Sequence, residues 1–227
     1  MIENTNVNEV LCWSSLSVNR ITDIMDYFYQ PNPEIAFDEI RDALSRGQLA
    51  SKIWLANKLE NFIFGNDNFG WDKKYRITIL GGWLGTLPSI CAELAVDNYI
   101  SHYTVIDKDA RCKRFAEHIN RALCNVHKFE FLDLDVFHPY AMETTAKSDI
   151  VINTSCEHFK DYSWLDAVAP GSIVIAQSNN YTGPEDHINV CSSVENLADK
   201  LNLSSVEFQG TMEFPNVYDR YMVIGIK

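Results

Sequence analysis

The chain has 227 residues, 46% hydrophobic and 12% aromatic, which is enough to bury one substantial core and excludes a disordered class. A formal net charge of −12 disfavours nucleic acid or an anionic membrane as partner and leaves small molecules and proteins. No apolar stretch approaches a membrane span, the opening MIENTNVNEV lacks the regions of a signal peptide, and six cysteines without a C-x-x-C pair point to reduced thiols in a cytoplasmic compartment.

Three helical stretches come first. Val18, Ile21, Ile24, Met25 and Phe28 recur at helical spacing until Pro31 and Pro33 interrupt them. A second stretch runs from about Glu34 to Arg46, with Ile35, Ile40, Ala43 and Leu44 as apolar members and Gly47 as its stop. The third, QLASKIWLANKLENFIF, carries Leu49, Ile53, Ala56, Leu59 and Ile63 on one stripe, and Arg46, Gln48, Ser51 and Lys52 at its start read as a solvated face. Loop chemistry at Gly65–Gly70 then divides an N-terminal helical extension, 1–74, from a second unit, 75–227.

From Tyr75 the texture becomes strand and helix in alternation. The strand candidates are RITILG, HYTVID, KFEFLDLD, SDIVINT and SIVIAQS. Between them lie LPSICAELAVDNYI, ARCKRFAEHINRAL, a short irregular stretch and DYSWLDAVA. This rhythm predicts an α/β fold with a doubly wound parallel sheet covered on both faces. After a helix at VENLADKL, the strands SVEFQGTMEF and RYMVIGIK are joined by so short a loop that they must be antiparallel. The expectation is a mostly parallel, seven-stranded sheet with an antiparallel C-terminal strand.

Gly81, Gly82 and Gly85 stand where the first of these strands gives way to its helix, and open α/β sheets bind ligands beyond such carboxyl ends. Glycine there permits positive φ and close backbone approach. Pro88 suits the first turn of the helix, with Thr86 as its cap. The dinucleotide fingerprint G-x-G-x-x-G fails in both registers, placing Trp83 and Thr86, or Leu84, where glycines belong, and the chain has no phosphate loop. The turn therefore suits a nucleoside ligand without a pyrophosphate, although a purely architectural glycine turn fits the same residues. Asp107, 26 residues after Gly81 at the end of the next strand, offers a carboxylate suited to a vicinal diol. Asp109 is the lesser candidate, or a cap for the helix that follows.

Five parallel strands closed by an antiparallel pair, opening on a G-G-x-x-G turn, resemble the class I S-adenosylmethionine (SAM)-dependent methyltransferase superfamily over residues 75–227. The resemblance implies SAM as cofactor, held by Gly81, Gly82 and Gly85, with Asp107 on the ribose hydroxyls. At the end of the third strand, LDLDVF, it implies that Asp135 contacts the adenine amino group and that Val136 lines the ring, with Asp133 in reserve. After the fourth strand, INTSCEHF, it places Asn153 against the amino-acid part of SAM or the substrate. The Asp/Asn-Pro-Pro-Tyr/Phe form is absent, which disfavours nucleobase amines and protein amides as acceptors. Helical extensions in such proteins often cover the cleft, a second reading of Arg46, Gln48, Ser51 and Lys52.

Methyl transfer from a sulfonium requires positioning and removal of a proton. His158 is the candidate base and Glu157 its orienter or an ammonium binder, although both residues equally fit the opening of a helix. Cys156 lacks a partner that would make it a nucleophile. Gln177, Ser178, Asn179, Asn180 and Tyr181 emerge beside the same cleft, with His187 as a second base candidate, yet Asn, Gly and Pro there also suit a plain turn. No histidine spacing marks a metal site. The expected activity is SAM-dependent methyl transfer to a small or medium polar molecule. Two alternatives stay open: aminocarboxypropyl transfer, since GTLPSI resembles a segment of nicotianamine synthases, and a non-catalytic binding protein on the same fold.

Overall fold

The computed structural model describes residues 2–7, 18–65 and 73–227; Cys12 and the loop residues after Gly65 fall outside these ranges. The five apolar runs form β2 (Tyr75–Leu80), β3 (Ile100–Asp107), β4 (Phe129–Asp133), β5 (Ile150–Asn153) and β6 (Ile173–Asn179). All their pairings are parallel. The last two strands, β7 (Ser205–Phe214) and β8 (Tyr218–Ile226), make the expected antiparallel hairpin, and β8 inserts antiparallel beside β6.

Among the described residues the sheet has eight strands, not seven. Residues Ile2–Asn6 form β1, which lies parallel to β7 at the edge, so the order is β1-β7-β8-β6-β5-β2-β3-β4. The segment IENTN has no apolar run to announce a strand. It is held by backbone pairing to an otherwise open edge and by an ion pair of 2.6 Å between Glu3 and Lys58.

Successive strand residues face opposite sides. One face, with Ile77, Ile79, Val105, Phe131, Ile152 and Ile175, packs under α1 (Val18–Phe28), α2 (Phe37–Ala43), α3 (Arg46–Gly65), α4 (Thr86–Cys91), α5 (Cys112–Ile119) and α6 (Arg121–Asn125). The other, with Leu80, Ile106, Val151, Val174 and Val223, packs under α7 (Pro139–Ala146) and α8 (Val194–Leu201).

Several local expectations shift. Gly47 does not stop a helix; it lies inside α3, where a Cβ would stand 2.8 Å from the Tyr218 hydroxyl. The start of α3 is not a solvated face, because Ser51 and Lys52 are buried, while Arg46 is exposed and Gln48 half-buried. On α1 the apolar stripe is packed only in part, through Ile24 and Phe28, which lie against the core. Ile21 and Met25 are about half exposed, at 50% and 52%, while Tyr27 is buried against Phe115. The helix after β2 is short, and a 3-10 turn at Ala95–Tyr99 follows because Glu60 of α3 accepts the Val96 N–H at 3.0 Å. The stretch read as irregular is α7, with Pro139 in its first turn and the His138 ring accepting the Tyr140 N–H.

Candidate functional site

The strand order reverses between β2 and β5, and the crevice of an open α/β sheet lies at such a switch point. Leu80 stands in register with Asn153, so the glycine turn and the loop TSCEHF leave the sheet side by side. Ser155 Oγ donates to the Gly81 carbonyl at 3.2 Å, and the Phe159 ring lies 3.2 Å from where a Gly81 Cβ would be.

The turn needs its glycines for packing as well as conformation. Gly81 and Gly85 have φ of 59° and 66°. A Cβ on Gly82 would stand 2.6 Å from Val105 Cγ1, and one on Gly85 2.9 Å from Ala116 Cβ of α5. Gly85, not Thr86, occupies the cap position of α4, with Pro88 in the first turn. Trp83 is also left-handed, with φ of 46°. Its N–H donates to Asp107 Oδ2 at 2.7 Å, and its ring leans on the hydrophobic core. Asp107 Oδ1 accepts the Asp109 N–H at 3.0 Å. Asp109 in turn holds Arg111, whose guanidinium also reaches Glu39 of α2 at 3.0 Å, and this pairing keeps the Asp109 carboxyl below its ordinary range.

Asp133 ends β4 in register with Asp107. Two residues on, Asp135 is exposed and accepts the Phe137 N–H at 2.9 Å, while Val136 is half-buried against the second core. These residues therefore occupy the carboxyl end of the neighbouring strand.

Across the switch point Asn153 is fully buried. Its Oδ1 accepts the Ser155 N–H at 2.9 Å, and its Nδ2 has no partner among the described residues. Cys156, Glu157 and His158 form a single 3-10 turn. Burial, reinforced by Glu157, pushes the Cys156 thiol well above its ordinary value, which argues against a nucleophile. Glu157 is only 3% exposed; its Oε1 accepts from Asn179 Nδ2 at 2.7 Å and from Arg220 Nη1 at 2.6 Å. The other terminal nitrogen of Arg220 donates to the Thr154 carbonyl.

Sequence reasoning missed Arg220. The only local signal is an arginine at the head of an apolar strand, and it reaches the site because β8 runs back along β6, placing Arg220 opposite Asn179. Gln177, by contrast, is turned toward α3, where its amide exchanges hydrogen bonds with Ser51. Lys52, buried beside this group, has its pKa lowered to about 7 by burial and by Arg220. Asn180 pairs with Asp219, and Tyr181 stacks on Tyr218 with ring centroids 5.9 Å apart. His158 is exposed, with Nδ1 3.1 Å from the Asp186 carboxylate and its ring edge-on to His187 at 4.7 Å between centroids.

This sheet order, with its reversal at β2 and β5 and its antiparallel return, is the fold of the class I SAM-dependent methyltransferases, and solved structures share it. The CurJ carbon methyltransferase superposes with a TM-score of 0.60 at 10% identity, covering 97% of this chain and 70% of that one. Magnesium protoporphyrin IX methyltransferase (ChlM) from Synechocystis PCC 6803, with bound SAM, gives 0.55 at 16% identity, covering 94% of this chain and 100% of that one. The N-methyltransferase NodS from Bradyrhizobium japonicum WM9, in complex with S-adenosyl-L-homocysteine, gives 0.57 at 10% identity over 90% and 99% of the two chains. No protein-family model matches the sequence, and no curated protein matches it.

Proposed function

We propose that the protein transfers a methyl group from SAM to a small or medium polar acceptor. The observation that carries this reading is the switch point itself: a glycine turn clasped by Asp107 beside a buried Asn153 whose amide Nδ2 is unpartnered among the described residues. These residues fit SAM. Each Asp107 oxygen holds one backbone N–H and keeps a second lone pair for a ribose hydroxyl. Gly81, Gly82 and Gly85 let the backbone approach the ligand, Asn153 Nδ2 suits its amino-acid carboxylate, and Asp135 and Val136 form the adenine end. Solved structures of this fold that hold SAM or S-adenosyl-L-homocysteine support the same assignment.

Bound SAM supplies a methyl group on a sulfonium. The chain's task is then to align the acceptor and receive its proton. His158 is our candidate for the proton: it is exposed at the crevice, and with Nδ1 directed to Asp186 its Nε2 keeps a free lone pair. Glu157 is a positioning residue, since Arg220 and Asn179 hold its charge. The acidic chain favours a small molecule over nucleic acid. Free thiols at Cys91, Cys112, Cys124, Cys156 and Cys191 favour the cytoplasm.

Isothermal calorimetry with SAM, using NAD and ATP as controls, tests the reading. Selective SAM binding is expected. A folded protein that binds none of the three would leave the non-catalytic alternative.

A further inference from the structure

We propose that Glu157, His158 and His187 form a binding site for one divalent transition-metal ion at the rim of the crevice. One carboxylate oxygen and one nitrogen from each ring lie within 4.8 Å of one another. No sequence spacing announces the set, because the two rings lie 29 positions apart and a loop folds back to join them.

The surroundings of each group prepare it as a ligand. His187 Nδ1 lies 2.7 Å from the Tyr181 carbonyl, which can only accept, so that nitrogen carries the proton and Nε2 keeps its lone pair. His158 Nδ1 faces the Asp186 carboxylate at 3.1 Å, which favours the same tautomer. Metal-binding histidines are typically oriented in this way, one ring nitrogen held by a carbonyl or carboxylate and the other turned to the ion. Glu157 supplies the independent observation. Asn179 and Arg220 occupy its Oε1, yet Oε2 is buried without a partner among the described residues. A carboxylate oxygen left bare inside a protein is costly, and a cation between it and the two rings removes that cost.

Two imidazoles and one carboxylate suit zinc, iron(II) or cobalt(II) better than magnesium or calcium, which take oxygen sets. A tetrahedral ion with bonds of ~2.1 Å holds its ligands ~3.4 Å apart, so the cluster contracts on binding. The exposed His158 and the loop-borne, half-buried His187 have room to do so. Glu157 and Asp186 bring two carboxylates to the corner, set against Arg220 and the buried Lys52, whose pKa is lowered to about 7. Three protein ligands leave a position open for an oxygen from outside. If the methyl-transfer reading holds, that position would take a hydroxyl of the acceptor; the ion would lower its pKa so that the proton passes to solvent, and His158 would then serve as a ligand and not as the base.

The test needs neither SAM nor turnover, so it succeeds or fails apart from the methyl-transfer reading. The full chain, freed of metal with a chelator, is titrated with Co2+ and followed by visible absorption, and Zn2+ is then added in competition. One Co2+ per chain, displaced by Zn2+, is expected, with affinity lowered at least about tenfold in His158→Ala, His187→Ala and Glu157→Gln. If Glu157→Gln fails to fold, the two histidine variants decide. No saturable binding by the folded chain overturns the proposal. So does binding that both histidine variants retain, which would assign the ion to the thiols.

Discussion

At Asp107 one carboxylate holds the N–H groups of Trp83 and Asp109, locking a left-handed turn onto the end of β3 while keeping lone pairs for a ligand. Asp107→Ala therefore has two expected effects. SAM affinity, read by calorimetry, falls at least about tenfold with the loss of charge-assisted bonds to the ribose. Stability, read by denaturant unfolding, falls by about 1–3 kcal/mol as backbone donors lose their acceptor. Undiminished SAM affinity would leave Asp107 as a brace only. Lys52 presents a second residue-scale case. The unfolded chain holds this proton up to an ordinary pKa of 10.5, whereas burial, the repulsion of Arg220 and the weaker attraction of Glu157 leave the folded chain holding it only to about 7. Between those values the unfolded state binds more protons, so stability rises with pH; below pH 7 the penalty is full and constant. Lys52→Met should flatten this rise and stabilise the protein at pH 7 by about 1–3 kcal/mol. Denaturant midpoints at pH 6.5, 8 and 9 measure both, and an unchanged slope would place the titration elsewhere.

Between elements, the Arg220–Glu157 pair ties the head of β8 to the turn after β5, with side chains only 7% and 4% exposed. Arg220→Met strands a buried carboxylate and is expected to cost about 3–5 kcal/mol. Adding Glu157→Gln should recover a large part, because the neutral amide no longer needs a counter-charge. A double-mutant cycle by denaturant unfolding reads this coupling, and strictly additive losses would show that the two residues do not act as a pair. The elements differ in how readable they were. The strands of the parallel sheet are continuous apolar runs, and the short loop before β8 enforced antiparallel return. α3 was misread at its start because its helix is buried on more than one side, so Ser51 and Lys52 face protein where an amphipathic pattern predicts water. β1 was invisible because an edge partner, not its own residues, makes it a strand.

For the whole molecule, a ligand that binds only the folded state adds stability by mass action, about 2.7 kcal/mol at one hundred times its Kd. For a chain of this length that corresponds to a rise in Tm of about 5–10 °C. SAM should produce this shift and NAD should not; equal shifts from both would argue for a generic nucleotide crevice. The sequence by itself determined the alternation of strands and helices, the glycine turn at the first carboxyl end, Asp107 one strand away, and the antiparallel tail. These follow from periodicity, backbone freedom and loop length, which act over about ten residues. Only the tertiary structure decided that Arg220 meets Glu157 across 63 positions, that Ser51 meets Gln177 across 126, that β1 closes the edge, and that His158 and His187 converge on one carboxylate. Those meetings depend on strand order and register, which are set when the whole sheet packs and not by the preferences of any one segment.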